Sequence, residues 1–272
     1  MKQPEYFLGS VNEALSYGAN ALMIYTGPPQ SSYRKDIGEL KIKEAIKIWK
    51  DKGFSSDHFV VHAPYIINLA SIDETKRKFG IDFLIKEVQR TDAFGAKYIV
   101  LHPGSSVKTT PEKSIQLLAE SLNLVISQTK NVIICLETMA GKGNEIGKNF
   151  EQLKSIIDGI SDQSRIGVCF DTCHVHDAGY DLSKFDEVMH QFDEIIGLNK
   201  LKVVHFNDSL NPISSHKDRH ANINKGCIGL KILMKIIQHE ALKNIPFILE
   251  TPYIDDQPPY TDEIALIRKN LD

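Results

Sequence analysis

Six side chains that can bind a metal or move a proton, His62, His102, Glu137, Asp171, His205 and Glu250, close short apolar runs of this chain, the His205 run continuing for one further residue. An imidazole or carboxylate ending a buried strand is costly unless it is hydrogen-bonded, paired or metal-bound. One such residue is ordinarily a satisfied histidine or a helix cap. Six on successive runs point to a shared task. His174, three residues after Asp171, is a further donor, and Asp218 and His220 are two more, spaced to share one side of an extended stretch. Five histidines and four carboxylates exceed the needs of one tetrahedral ion and suit two or three. With one divalent ion four carboxylates would keep a charge of about −2. Three ions would bring the pocket to about +2, suited to a phosphate and a hydroxide.

The elements that must position these donors are legible as periodicity. Runs at 21–25, 59–62, 98–102, 133–137, 166–171, 203–206 and 247–250 are nearly continuously apolar and rich in Ile and Val, as expected of parallel strands buried on both faces. Between them, residues 40–52, 76–94, 113–127, 149–160, 182–196, 230–239 and 262–271 carry helical spacing, and a first helix is expected at 11–17. No linker divides the repeat, and no glycine-rich nucleotide loop follows any strand. The expected fold is therefore α/β: one TIM (β/α)8 barrel over residues 1–272, with all strand ends converging on one face. Only seven strands are readable, so the first barrel strand is either missing or supplied in degenerate form by residues 5–9.

Composition excludes several classes. At 42% hydrophobic and 25% charged the chain can bury a large core, and its net charge of −3 gives no electrostatic sign of a nucleic-acid partner. The apolar runs fall short of the ~20 residues of a membrane span, and the N-terminus lacks the pattern of a signal peptide, so a cytoplasmic protein with no membrane partner is expected. Cys135, Cys169, Cys173 and Cys227 show no paired spacing and read as mostly buried thiols.

Seven segments, His62-Ala63-Pro64-Tyr65-Ile66-Ile67-Asn68, Leu101-His102-Pro103-Gly104-Ser105, Leu136-Glu137-Thr138-Met139-Ala140-Gly141-Lys142-Gly143, Val168-Cys169-Phe170-Asp171-Thr172-Cys173-His174, Val204-His205-Phe206-Asn207-Asp208-Ser209, Lys217-Asp218-Arg219-His220 and Leu249-Glu250-Thr251-Pro252, resemble in order and spacing the endonuclease IV family of apurinic/apyrimidinic endonucleases. The resemblance implies a barrel with three zinc ions, one site open to manganese. His62, His102 and Glu137 would hold the first, Glu137 as bridge with Asp171, His205 and Glu250 the second, and His174, Asp218 and His220 the third. It implies base-excision repair of double-stranded DNA by a monomer. A metal-activated hydroxide, oriented by Glu250, would cut 5′ to an abasic site, leaving a 3′-hydroxyl and a 5′-deoxyribose phosphate. Removal of 3′-blocking groups by 3′-phosphatase and 3′-phosphodiesterase action is implied alongside.

Tyr65 and Ile66 resemble the family's wedge, which enters the base stack at the lesion. Gln30 stands where some relatives carry a DNA-inserting Arg, which shifts recognition toward Tyr65. Arg219, with Lys108, Lys142, Lys148, Lys217 and Lys225, is expected on loops of the same face, interspersed with Asp177, Asp181, Asp255 and Asp256. The family's opening strand with its G-[SA]-H-V-S motif is absent here. Two rivals weigh against the nuclease. A sugar isomerase or epimerase would use Glu137, Asp171, His205 and Glu250 but has little need of the other five donors; a catalytically dead binding module would be expected to have lost some of them.

Overall fold

The computed structural model describes Met1 and residues 3–271. Seven strands form one parallel sheet: β1 (Leu22–Ile24), β2 (Phe59–His62), β3 (Tyr98–Leu101), β4 (Ile133–Glu137), β5 (Ile166–Asp171), β6 (Leu201–His205) and, after a short hairpin of β7 (Asp208–Ser209) and β8 (His220–Ala221), β9 (Phe247–Ile248). They are ordered β1-β2-β3-β4-β5-β6-β9, each beside its neighbour in sequence apart from the hairpin. Around them run α1 (Tyr6–Ser16), α2 (Ile42–Asp51), α3 (Glu74–Ala93), α4 (Pro111–Ser127), α5 (Phe150–Asp158), α6 (Thr172–Ala178), α7 (Phe185–Ile195), α8 (Leu230–Ile237) and α9 (Tyr260–Lys269). This is a TIM barrel lacking one strand of eight among the described residues.

Alternation along the strands builds two cores. Tyr98, Val100, Cys135, Cys169, Val203 and Ile248 fill the barrel interior, while Ile99, Leu101, Ile134, Leu136, Val168, Phe170 and Val204 face the helices. The helices start where the sequence supplies caps. Asp73 accepts from the amides of Thr75 and Lys76, Thr110 from that of Lys113 with Pro111 in the first turn, and Asn149 from that of Gln152. Register staggers some strand ends and levels others: His62 pairs with Val100, two residues before His102, and Glu137 with Cys169, two before Asp171, while Asp171 pairs directly with His205.

Of the two alternatives for the first strand, residues 5–9 do not supply one: they enter α1, which begins at Tyr6 rather than at residue 11. Tyr-Phe-Leu suits a strand by propensity, but Phe7 is better buried outside the sheet, its ring edge-on to Phe59 at 5.2 Å and Phe94 at 4.8 Å. Consequently β1 and β9 each pair on one side only. A cavity of about 1100 Å³ opens between them, lined by Leu22, Met23 and Ile24 on one edge and Phe247, Ile248 and Leu249 on the other.

Candidate metal centre and DNA-facing rim

All nine expected donors meet at the C-terminal end of the barrel. Donor atoms of His62, His102 and Glu137 lie within 4.8 Å of one another; so do those of Glu137, Asp171, His205 and Glu250, and those of His174, Asp218 and His220. Glu137 sits at the centre. Its Oε2 is 3.2 Å from His62 Nε2 and 3.1 Å from His102 Nε2, and its Oε1 is 3.0 Å from His205 Nδ1. His205 Nδ1 also reaches Glu250 Oε2 at 2.8 Å, and His174 Nε2 lies 3.0 Å from Asp218 Oδ1. Cys173 is a donor that sequence reasoning did not place: it forms an alternative group with Asp171 and His220, although burial, reinforced by Asp171, pushes its thiol well above the usual range.

Charge in this cluster is mutually dependent. Burial opposes ionisation of Glu137, yet His205 and His102 hold its carboxyl well below the usual range. Burial likewise works against Glu250, but His205 brings it down to about 2. On the imidazole side burial lowers basicity. Cys169, Glu250 and Glu137 overcome this at His205, Asp171 with Asp218 and Glu137 at His174, and Glu137 at His102, so all three are raised. A divalent cation bound here would replace shared protons. The donor set fits such ions, and one atom calls for one directly: His220 Nε2 is buried without a hydrogen-bond partner, 3.5 Å from Asp171 Oδ2 and 3.8 Å from Asp218 Oδ1.

A second layer fixes the donors. His62 Nδ1 lies 2.8 Å from the Ala63 carbonyl and His174 Nδ1 2.9 Å from that of Thr138, which leaves the Nε2 atoms for the site. Asp171 is both donor and helix cap: its Oδ1 accepts from the His174 amide at 2.8 Å, starting α6, while its Oδ2 accepts from Asn207 Nδ2 at 2.9 Å. Asn207 Oδ1 in turn accepts from the Glu250 amide at 2.8 Å. Asp218 does not lie in a simple extended run, since its φ is +55°; only His220 enters β8. Its loop is held from below by Asp177, whose Oδ2 accepts from the Asp218 amide at 2.9 Å.

Asp177 and Asp208 are the polar residues that sequence reasoning misjudged or passed over. Asp177, expected on the exposed face, is fully buried, and Asp208 gathers the amides of Ser209, Gly226, Ile228 and Gly229. A side chain at Gly226 would come within 2.3 Å of the Ser209 carbonyl, so only glycine allows this approach. Gly104, at φ +96°, plays the same part between the first two histidine loops, where Asn68 Oδ1 accepts from the Ala70 and Ser105 amides. The only signal for Asp208 was its place directly after an apolar strand, in Asn207-Asp208-Ser209.

The expected DNA-facing residues are spread around the rim. Tyr65 and Ile66 are exposed on the loop after β2, at 53% and 38%, and the Tyr65 ring stands 5.7 Å from His62 and 5.4 Å from His102. Arg219 is exposed between two donors, its guanidinium returning to the Asp218 carbonyl. Lys108, Lys142, Lys148, Lys217 and Lys225 are likewise exposed. Gln30 is exposed on the loop after β1, outside the donor cluster. That loop is wrapped around Arg34, which pairs with buried Glu87 at 2.7 Å and donates to the Ser31 and Tyr33 carbonyls. As the burial of thiols suggests, Cys135, Cys169 and Cys173 are inside; Cys227 is exposed.

A family model described as the xylose isomerase-like TIM barrel matches residues 11–270. A relative named probable endonuclease 4, from Acholeplasma laidlawii, is 55% identical over 100% of this chain and 93% of its own length. The crystal structure of endonuclease IV from Thermus thermophilus aligns with a TM-score of 0.84 at 28% identity, covering 99% of this chain and 96% of that one. A D-tagatose 3-epimerase-like protein aligns at 0.76 with 20% identity over 98% of this chain and 94% of its own, a likeness of fold alone. Identity of 55% over the whole chain and 93% of the relative's length places the chain in the endonuclease 4 family.

Proposed function

We propose that this protein is a metal-dependent hydrolase of DNA repair that incises the duplex 5′ to an abasic site, leaving a 3′-hydroxyl and a 5′-deoxyribose phosphate, and that also clears 3′-blocked ends. The observation that carries this reading is the convergence of nine donors in three groups around Glu137. A barrel epimerase needs one of those groups. Three bound cations would favour a site for a phosphodiester, whose charge the four carboxylates would otherwise repel.

His62, His102 and Glu137 would hold one zinc, Glu137, Asp171, His205 and Glu250 a second, and His174, Asp218 and His220 a third, manganese being the alternative at one site. When bound, the ions supply a water of lowered pKa and positive charge for oxygens that become more negative as phosphorus is attacked. Glu137, with its side chain 1% exposed, would be the bridge, while Glu250, at 20%, is the more accessible carboxylate and would orient the nucleophile. Asn207 holds Asp171 and Glu250 in register. Tyr65 and Ile66 would enter the stack, and Gln30 and Arg219 would meet the backbone beside it.

The enzyme would act as a single-domain monomer in the cytoplasm; no helix among the described residues is long and apolar enough to cross a membrane. A labelled duplex with one abasic site tests the reading. The expected product is a single break on the 5′ side of the lesion carrying a 3′-hydroxyl, lost in chelator. A break on the 3′ side, or none from metal-loaded protein, would refute it.

A further inference from the structure

β1 is the one readable barrel strand whose end carries no metal donor. The residue there is Tyr25, immediately after Ile24. Its ring packs 5.2 Å from His62 and 5.5 Å from Tyr65, and its hydroxyl donates to the Tyr65 hydroxyl. Tyr65 is half exposed, on a loop whose buried anchors, Pro64, Ile67 and Leu69, fix its backbone but not its ring. An exposed aromatic ring is free to turn, and ordering it on binding costs affinity.

Tyr25 can supply that order because it is itself held, although β1 is an edge strand. The next residue, Thr26, is buried; its hydroxyl donates to Glu87 Oε2 at 2.7 Å, and Arg90 donates to its carbonyl at 3.3 Å.

We infer that Tyr25 is a positioning residue that fixes the Tyr65 ring over His62 and His102, ready to enter the base stack at a lesion. This rests on the reading of Tyr65 as the inserted residue. One hydrogen bond that orders a binding side chain is worth about three- to tenfold in affinity.

The test compares Tyr25→Phe, Tyr65→Phe, the double variant and Tyr65→Ala in steady-state incision of an abasic duplex, with metal content measured for each. Tyr25→Phe keeps the ring contacts and removes only the donor. The expected result is a KM raised about three- to tenfold with kcat and metal content unchanged, a similar rise in Tyr65→Phe, and no further rise in the double variant. An unchanged KM in Tyr25→Phe, multiplicative effects in the double variant, or a fall of kcat together with metal content would overturn the inference. Tyr65→Ala separates the two levels. If it leaves KM unchanged, the insertion role itself fails and the inference falls with it. If it raises KM while Tyr25→Phe does not, the positioning role alone is lost.

Discussion

The barrel has two unlike regions. From β2 to β6 every strand is paired on both sides and ends on or next to a candidate metal donor: His62, His102, Glu137, Asp171 or His205. At the seam, among the described residues, β1 and β9 each lack a neighbour on one side, and β9 meets β6 in two register pairs, Val204–Phe247 and His205–Ile248. Yet the seam supplies Glu250 and Tyr25, one from each edge. The lesson is that side chains take over where strand pairing stops. Glu250 is located by His205 and Asn207, and Tyr25 by the buried Thr26–Glu87–Arg90 cluster. Five of the nine candidate donors close or directly follow the strands of the paired arc, and the seam adds Glu250.

Removing the bridge in the paired arc should have the largest effect. Glu137→Gln should lower incision by at least about 10³-fold and reduce bound metal, since one carboxylate serves two groups. Retained activity would mean that the arc does not organise the metals. Next in size is the tie between the regions: Asn207→Ala should weaken metal binding or activity about 10- to 100-fold, measured by competition with a chelator. No change would show that Glu250 keeps its place without the paired arc. The seam should also exchange amide hydrogens at least about tenfold faster at Met23 and Ile248 than at Ile99 and Ile134. Equal protection would erase the contrast.

The most graded effect is with pH. In the metal-free protein His102, His174 and His205 have raised pKa values, so they keep protons at higher pH than free imidazoles do. A cation must displace those protons, so metal affinity should fall as pH drops through and below neutrality, by up to about tenfold per unit for each proton released. The paired arc, which holds most of these groups, should dominate the slope. Calorimetry in buffers of different ionisation enthalpy reads the proton count, and a slope of zero would contradict the proton-sharing arrangement.

The strand-end donors and the parallel order were legible because buried parallel strands are written as continuous Ile- and Val-rich runs whose last residue stands out when polar. That the described residues form seven barrel strands was legible for the same reason. Other features were hidden because tertiary contacts decide them. Phe7 is helical since its ring finds Phe59 and Phe94, against its strand propensity. Asp177 looks like a surface acid, and only the return of the 209–218 loop, with Ser209 Oγ donating to Asp177 Oδ1 at 2.6 Å, makes it a buried support. The helix α6 was missed because Asp171, read as a donor, also caps it.

The most direct measurement of the central claim is metal content set against incision of an abasic duplex, taken through chelation and stepwise zinc add-back. About three divalent ions per chain should bind, and cleavage on the 5′ side of the lesion should return only as the Glu137-centred groups fill. Full activity with less than about one ion per chain would contradict it.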